Sequence, residues 1–250
     1  KNELGIDDGG LFQDWLTNLI KEIFSPKNKL FVSTETGSLY PNLNRKSDED
    51  LKYFEFAGKI LGLALISNVS VDVYLSPFFF KKILHHEIKF NDVKSFNEYN
   101  FNSYNFILNN DIDNCGFYFI ADVDDDNGIH KEIDLIENGS EVKVTNQNKA
   151  DYIQKLFKFY LVDSIEKQSK AFCNGFDSIV SHCYLRIFSQ GELELLTCGL
   201  HEIDVDDMKI NTIYHSYSSN SPTIICFFNV IKRWDKEMLA ELLQFITGNS

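Results

Sequence analysis

Basic charge and long apolar runs are both scarce in this chain of 250 residues. Its 24 lysines and arginines stand against 37 aspartates and glutamates, which gives a formal net charge of −13 at pH 7. Nucleic-acid backbones and anionic membranes attract basic surfaces, so the sequence predicts neither as a partner. The nearest approach to a membrane helix, residues 60–66, falls well short of the ~20 apolar residues that a bilayer crossing needs.

Cysteine is present without any pairing pattern. The five cysteines are an odd number and show no paired spacing, which argues against a disulfide framework. Such usage is typical of a reducing compartment, so the sequence predicts a cytoplasmic protein, with the nucleus as the alternative. It shows no signal peptide, lipidation motif, Walker loop or dinucleotide fingerprint. We therefore expect no cofactor.

Apolar residues, in contrast, recur at helical spacing along most of the chain. The 22 phenylalanines and 11 tyrosines predict a core built heavily on aromatic rings. A first amphipathic helix ends at Ser25-Pro26, and Ser47 with Asp50 forms a capping box ahead of a second. Within that second helix Gly58 and Gly62 allow another backbone to approach closely.

Start and stop signals for further helices follow the same chemistry. The dipeptides Ser76-Pro77 and Ser221-Pro222 place proline at a first helical position, where its missing N–H costs nothing. Ser189 and Glu192 form a second capping box, and Gly199 is the expected stop of that helix. Short apolar segments around Thr36-Gly37 predict a small hairpin near the N-terminus.

The longest apolar stripe, in residues 137–176, predicts the central helix of the domain. Thr145 or Asn146 would cap this helix, and Gly175 would stop it. A short strand through Val142 and Val144 is expected just before it. Because a stripe of this length needs packing partners on several sides, we expect the rest of the chain to pack around it.

Residues 91–136 have a different character, with an Asn-rich helix followed by two strand-like segments. The apolar residues of the helix and of the turn after it are Tyr104, Phe106, Ile107, Leu108 and Ile112. They are too many for one short helix to bury in a small α+β unit, so some are expected to form an exposed groove for a partner. The alternative is that they all pack on the following strands.

The turn at residues 122–128 resembles the start of a calcium-binding loop. If Gly128 takes the invariant glycine position, the first ligand position falls on Val123 and the twelfth on Asp134. The flanking segments have strand rather than helix character. We therefore predict a β-hairpin and no metal site.

Several phrases of the sequence resemble the HECT ubiquitin-ligase domain, and they occur in the family's order. These phrases are GIDDGGLFQDWLTNLIKEIFSP, LKYFEFAGKILGLAL, VTNQNKADYI with SIEKQSKAFCNGF, GELELLTCGLHEIDVDDMKINTIYHSY and LLQFITGNS. The resemblance covers residues 5–248. Lys59, Met208 and His215-Ser216 depart from the residues that the family commonly has at those positions.

The resemblance implies a mainly α (α+β) fold, the N-terminal lobe of the HECT domain over residues 1–250. Residues 1–90 and 145–250 would form a large helical subdomain. Residues 91–144 would form a small α+β subdomain that docks a ubiquitin-conjugating enzyme. On the same basis the natural N-terminus is expected upstream, and the catalytic C-terminal lobe beyond a hinge at Thr247 and Gly248.

The function that the resemblance implies is ubiquitin transfer in the ubiquitin-conjugation pathway, leading to protein degradation. The lobe would bind a conjugating enzyme loaded with ubiquitin, so that ubiquitin passes to a cysteine of the missing lobe and then to a substrate lysine. Protein substrates would bind through regions outside this chain. Without that cysteine the chain alone should be an inactive part of a transferase.

Two sets of site residues follow from the resemblance. Tyr104, Phe106, Ile107, Leu108, Ile112 and Asn127 would bind the conjugating enzyme. Asn127 stands where the family often has an apolar anchor, which would change affinity or the choice of enzyme. Tyr40, in the first hairpin, matches a region that binds a second ubiquitin in some members.

Three alternatives to a ligase lobe are weighed on the residues. A degenerate module would keep the fold and bind another protein without catalysis. A cysteine hydrolase would use His182 with Cys183 or Cys198 with His201, but neighbouring side chains rarely face each other and no oxyanion hole is evident. Zinc would need four ligands, and the remaining candidates are scattered. Cys198 and Cys226 lie in apolar segments and are expected to be buried and inert.

Overall fold

The structure, a computed structural model, describes residues 10–125, 128–199 and 204–247. Helices form most of it, and two antiparallel hairpins complete it. The helices are α1 Gly10–Ile23, α2 Asp48–Ile66, α3 Pro77–Ile83, α4 Val93–Phe96, α5 Glu98–Asn109, α6 Lys149–Lys158, α7 Glu166–Asp177, α8 His182–Leu185, α9 Gln190–Cys198, α10 Val205–Asn211, α11 Pro222–Ile231 and α12 Lys236–Thr247. The fold is mainly α with a smaller β component, as predicted. Among the described helices, none has both the length and the apolar character that crossing a bilayer requires.

The predicted capping boxes are present at α2 and α9. Ser47 Oγ accepts the N–H of Asp50 at 3.1 Å, and the Asp50 carboxylate accepts the N–H of Ser47 at 3.1 Å. Ser189 and Glu192 make the same reciprocal pair at 3.3 and 2.7 Å. Each box satisfies two backbone donors that a helix start would otherwise leave unpaired. Gly199 ends α9 with φ 70°, a conformation that glycine adopts without strain.

Helices α2 and α7 approach each other closely, backbone against backbone. A methyl group built on Gly58 would lie 2.0 Å from the carbonyl oxygen of Phe172, and one built on Gly175 would lie 1.9 Å from that of Glu55. The two glycines therefore let each backbone enter the groove of the other helix. The predicted close approach at Gly58 is confirmed. Gly175, predicted as a helix stop, lies inside α7, which continues to Asp177.

The central apolar stripe was predicted to form one continuous helix. It forms two helices joined by a π-helical turn instead. α6 ends at Lys158, a π turn covers Phe159–Asp163, and α7 begins at Glu166. The wider turn shifts the register of the stripe, and both Leu161 and Ile165 still reach the core with no exposed surface. The sequence carries no proline or glycine at this point, so its pattern gave no sign of the break.

The predicted caps of this helix are also wrong, because the helix starts later in the chain. α6 starts at Lys149, with Asn148 rather than Thr145 or Asn146 at the N-cap position. The Asn148 side chain accepts the N–H of Thr145 at 2.7 Å, which closes the preceding turn. The side chain of Asn146 bonds to the loop after α5. The expected strand before the helix is likewise absent: a short 3-10 turn, Gly139–Glu141, and a single bridge between Tyr118 and Lys143 lie there instead.

Three clusters of buried side chains hold the described residues together. The first lies between α1, β1, α2, α3, α7 and α9 and contains many of the large buried aromatic rings. The second joins α4, α5 and β3 to α6 and the π turn. The third is small and lies between α10, α11 and α12, around Val205, Phe228, Ile231 and Leu239. The subdomain boundaries inferred from the resemblance stay a prediction, and α6 shares one core with the predicted docking unit.

Both predicted hairpins are confirmed. The strands β1 Phe31–Ser33 and β2 Leu39–Pro41 pair antiparallel with Val32 opposite Tyr40. The strands β3 Ile120–Asp124 and β4 His130–Asp134 pair with Asp122 opposite Glu132. The acidic turn that resembles a calcium loop thus joins two strands, as expected for a hairpin.

Candidate docking surface on helix α5 and the second hairpin

Helix α5 is anchored at its start by an asparagine. The side chain of Asn97 accepts the N–H of Asn100 at 2.6 Å, which is the usual role of an N-cap residue. The Asn97 amide also donates to Glu35 at 2.8 Å and so links α5 to the loop of the first hairpin. The position of α5 against the helical body is therefore fixed at its N-terminus.

Three of the five apolar residues predicted to bind a partner point inward, two from α5 and one from the turn that follows it. Tyr104 and Ile107 are buried, and Ile112 in the following turn has no exposed surface. They pack in the second core with Phe119 and Ala121 of the hairpin region. This is the alternative arrangement weighed above, and it leaves these side chains out of a partner's reach in this conformation.

The outward face of α5 carries the exposed apolar residues. Phe106 is 61% exposed and Tyr99 is 74% exposed. Seven residues separate them, which is two helical turns, so both side chains lie on one face. Leu108 is half-buried and lies beside the buried face. Of the five predicted apolar residues, Phe106 and Leu108 are the ones that a partner could contact in this conformation. Binding by the predicted set as a whole stays a prediction.

Asn146 fastens the turn after α5 to the start of α6. Its side-chain oxygen accepts the N–H of Ile112 at 3.1 Å, and its amide donates to Asp111 at 2.7 Å. Its own N–H donates to Asp113 at 2.8 Å. The bond from the Asn146 amide holds the pKa of the Asp111 carboxyl below its usual value. Lys149 adds a bond to the carbonyl oxygen of Asn110 at 2.6 Å.

The second hairpin is held from the other side by Tyr160 of the π turn. The Tyr160 hydroxyl accepts the N–H of Asp122 at 3.1 Å and donates to the carbonyl oxygen of the same residue at 2.7 Å. Ala121 and Val123 of β3 face the core, whereas every residue of β4 is exposed. The π turn thus places the phenol that fixes β3, and β4 is left as the outer strand.

His130 ties the two strands together near the acidic turn. Its Nδ1 lies 3.1 Å from Asp124 and its Nε2 lies 3.2 Å from Asp122. The hydrogen bond with Asp124, supported by the charges of both aspartates, raises the pKa of His130. Two residues of the adjoining turn, 126 and 127, lie outside the described residues. The predicted contact through Asn127 therefore stays a prediction.

Tyr40 lies at the edge of a cleft of about 710 Å³ between the first hairpin and β3. Its ring packs on Phe78 and Phe96 with centroid distances of 6.0 and 5.1 Å, and burial raises the pKa of its hydroxyl. Asp122, Asp124 and Asp125 also line this cleft. A partner in this cleft would therefore meet a tyrosine and three carboxylates. That Tyr40 binds ubiquitin stays a prediction.

The predicted hinge lies at the end of the described chain. Thr247 is the last residue of α12, and Gly248 lies outside the described residues. The hinge therefore stays a prediction.

Cys173 is buried, and Cys198, which was expected to be buried, is half-buried. Both thiols are poor nucleophiles. Burial raises the pKa of Cys173 to about 12 and that of Cys198 to about 11. The Cys198 thiol donates to the carbonyl oxygen of Val73 at 3.0 Å. Cys226, which was expected to be buried, is exposed, because the apolar segment around it belongs to a helix that buries only Phe228 and Ile231. His201, the predicted partner of Cys198, lies outside the described residues.

We predict that thiol alkylation divides the five cysteines into two groups. At pH 7.5 Cys173 and Cys198 should react with iodoacetamide at least roughly a hundredfold more slowly than the exposed Cys115, Cys183 and Cys226, since only the thiolate reacts. Mass spectrometry of peptides at timed intervals measures this. The chain unfolded in urea is the control, in which all five should react alike. A single cysteine far faster than the other four would instead favour a cysteine hydrolase.

Metal binding finds no support in the part of the chain that the structure describes. There, no three side chains among His, Cys, Asp and Glu are grouped to hold an ion. His182, the other candidate partner for a cysteine, packs edge-on against the ring of His85 at 4.6 Å. Its Nε2 lies 3.4 Å from the carbonyl oxygen of Leu84.

Sequence reasoning missed three residues that shape this surface. Tyr99 lies seven positions before Phe106, and that spacing was a signal that both share one helix face. Asn146 and Tyr160 act over 34 and 38 positions along the chain. No local sequence pattern indicates contacts between residues so far apart along the chain.

Comparisons with known proteins point to one family. Residues 17–250 match the family model described as HECT-domain (ubiquitin-transferase). The chain is 39% identical over 253 residues to the E3 ubiquitin-protein ligase TOM1-like of Neurospora crassa, with 100% of this chain and 6% of the relative covered. It is 36% identical over 253 residues to E3 ubiquitin-protein ligase TOM1 of Saccharomyces cerevisiae, with 100% of this chain and 8% of the relative covered. With E3 ubiquitin-protein ligase NEDD4 of Homo sapiens the identity is 35% over 253 residues, with 99% of this chain and 19% of the relative covered.

Proposed function

Because the chain belongs to the HECT-domain (ubiquitin-transferase) family, we propose that it docks a ubiquitin-conjugating enzyme for ubiquitin transfer. The chain spans less than a fifth of the length of the three relatives described above. The activity of a whole ligase, its substrates and its partners are therefore parts of this proposal. A cytoplasmic location, with the nucleus as the alternative, and a role in protein degradation belong to it as well.

The exposed pair Tyr99 and Phe106 on α5 carries the proposal. Large exposed aromatic side chains on a fixed helix are typical anchors of protein interfaces. The helix is fixed at its start by Asn97 and after its end by Asn146, so docking requires little ordering of the chain. The aromatic pair therefore supports a protein partner better than a small-molecule substrate.

In the proposed transfer this chain supplies position rather than a nucleophile. The conjugating enzyme carries ubiquitin as a thioester. The thiolate of a cysteine in a following lobe attacks its carbonyl carbon, forms a new thioester and releases the enzyme's thiolate. The amine of a substrate lysine then attacks that second thioester and releases the ligase cysteine. The C-terminal end of α12 is the point from which we propose that the lobe swings, through Thr247 and Gly248.

We predict that truncating Phe106 removes most of the affinity for a conjugating enzyme. Phe106→Ala should weaken binding at least about tenfold, since central aromatic anchors contribute on the order of 2 kcal/mol or more. Leu108→Ala should weaken it less, because Leu108 is half-buried. Isothermal titration of the 250-residue chain with a panel of conjugating enzymes, each carrying ubiquitin in a stable linkage, measures both effects.

Tyr184→Ala is the matched control for this titration. Tyr184 is 72% exposed and lies on α8, away from the proposed surface, so its loss should change affinity less than about twofold. Equal weakening by Tyr184→Ala and Phe106→Ala would place the contact elsewhere. No binding by the unchanged chain to any enzyme of the panel would favour the alternative, a HECT-like module that binds another protein without catalysis.

A further inference from the structure

A second cleft, of about 700 Å³, lies where the end of α3 and its following loop meet α6, the π turn and α7. It is separate from the residues of the proposed docking surface and from the cleft beside Tyr40. Among the side chains that line it are lysines, a hydroxyl without a hydrogen-bond partner and several apolar residues. Together they fit a binding site for a small organic molecule that carries an anionic group.

Three lysines reach this cleft from three elements of the fold. They are Lys82 of α3, Lys158 of α6 and Lys170 of α7. Among the described residues, none of these three lysines has a carboxylate oxygen within 4.0 Å of its ammonium group. Lys155 of α6, in contrast, forms an ion pair with Asp151. A concentration of unpaired lysines is unusual on a chain of net charge −13.

Two glutamates, Glu87 and Glu166, also line the cleft, so the three lysines are partly balanced. Burial lowers the pKa of Lys82, and the charges of Cys173, Glu166 and Asp163 act in the opposite direction. Lys158 and Lys170 are exposed side chains. They remain the cations best able to meet a ligand.

Ser169 supplies an unpaired hydrogen-bonding group at the same cleft. The residue is only 5% exposed, lines the cleft and has a hydroxyl without a hydrogen-bond partner among the described residues. Its neighbours behave differently: Ser164 donates to the carbonyl oxygen of Tyr160 at 3.3 Å, and Ser178 to that of Gly175 at 2.6 Å. Buried polar groups are nearly always paired, so an orphaned hydroxyl calls for a ligand or an ordered water.

The remaining wall of the cleft is apolar. Ile88, Phe157 and Val162 line it, and all three are half-buried. The ring of Phe157 packs edge-on against Phe90 at a centroid distance of 6.0 Å, which holds it in place. A bare inorganic anion would leave this surface in contact with water, whereas a ligand with an organic body would cover it.

We propose that this cleft binds a phosphate ester of a small organic molecule. Lys158 and Lys170 meet the phosphate oxygens, and the Ser169 hydroxyl donates a further hydrogen bond. The organic body lies on Phe157 and Val162. Lysine and hydroxyl donors are common phosphate ligands, and a charged hydrogen bond is stronger than a neutral one. This site does not rest on the proposed function.

Titration with two matched probes, ADP and inorganic pyrophosphate, tests the site. Isothermal titration at low ionic strength should show saturable binding of ADP to the 250-residue chain, with pyrophosphate at least about threefold weaker because it lacks an organic body. Lys170→Glu and Lys158→Glu should each weaken ADP binding at least about tenfold, since each replaces an attractive charge by a repulsive one. Ser169→Ala should weaken it about threefold without lowering thermal stability, because it removes an unpaired hydroxyl.

Lys167→Glu is the matched control. Lys167 is an exposed lysine of the same helix that does not line the cleft, so the charge change is the same while the site is untouched. ADP binding should then change less than about twofold. Equal weakening by Lys167→Glu and Lys170→Glu would show a general charge effect and overturn the site. Absence of saturable ADP binding would overturn it too, and equal affinity for pyrophosphate would overturn the role of the apolar wall.

Discussion

Replacing Gly175 by alanine should strongly destabilise the fold. The added carbon would lie 1.9 Å from the carbonyl oxygen of Glu55, and a backbone atom cannot turn aside as a flexible side chain can. The helices α2 and α7 would have to separate along their closest contact, which also includes Gly58 against Phe172. Overpacking in a core costs ~1–3 kcal/mol and sometimes more. We expect a loss of at least ~3 kcal/mol in the free energy of unfolding, measured by urea denaturation.

Gly191→Ala is the control for this substitution. Gly191 lies near the start of α9, and nothing lies within 4 Å of a methyl group built on it. Since alanine favours a helix over glycine by up to ~1 kcal/mol, this variant should be as stable as the unchanged chain or slightly more stable. If Gly175→Ala behaved like Gly191→Ala, the close crossing of α2 and α7 would be wrong.

The parts of the fold that the sequence predicted are those set by neighbouring residues. The capping boxes at Ser47 and Ser189 use side chains three positions apart, so the residues that define them also make the bonds. The proline starts at Pro77 and Pro222 depend only on the geometry of proline itself. Such signals can be interpreted without knowing what packs against the helix.

The parts that the sequence missed are set by distant residues. The π turn at Phe159–Asp163 leaves the apolar stripe intact, and the contact of Tyr160 with Asp122 on another element accompanies it. Gly175 was interpreted as a stop because glycine often ends helices, whereas here the backbone of Glu55 occupies the space of its side chain. In the π turn and at Gly175 alike, the same local sequence is compatible with two structures. Only the residues that pack against it decide between them.

The same limit applies to the candidate docking surface. The sequence predicted a docking helix and the apolar residues on it, but composition could not show which face of that helix points inward. The helix turns Tyr104 and Ile107 to the core and Phe106 to the surface. Residues 104, 107 and 108 share one face by helical spacing, and 106 lies off it. The helical spacing therefore shows that Phe106 lies on a different face from the other three residues. Which of the two faces is buried depends on the packing of α5 against β3 and α6.

Replacing Ile112 by alanine should separate stability from docking. Ile112 has no exposed surface, lies in the second core and was expected from the resemblance to contact the conjugating enzyme. Removing three buried carbons leaves a cavity, which typically costs ~2–5 kcal/mol for Ile→Ala. We expect a loss of ~3 kcal/mol in the free energy of unfolding, with the dependence on urea concentration unchanged.

The comparison with Phe106→Ala makes this test decisive for the surface. Phe106 is 61% exposed, so its truncation should lower the free energy of unfolding by less than ~1 kcal/mol while weakening docking. Ile112→Ala should show the reverse: a lower midpoint in urea and, at concentrations where the chain stays folded, affinity for the conjugating enzyme within about twofold of the unchanged chain. If Ile112→Ala instead weakened docking tenfold with stability preserved, the buried face of α5 would have to open when the partner binds. The docking surface would then be a conformation other than this one, with Tyr104 and Ile107 exposed together with Ile112.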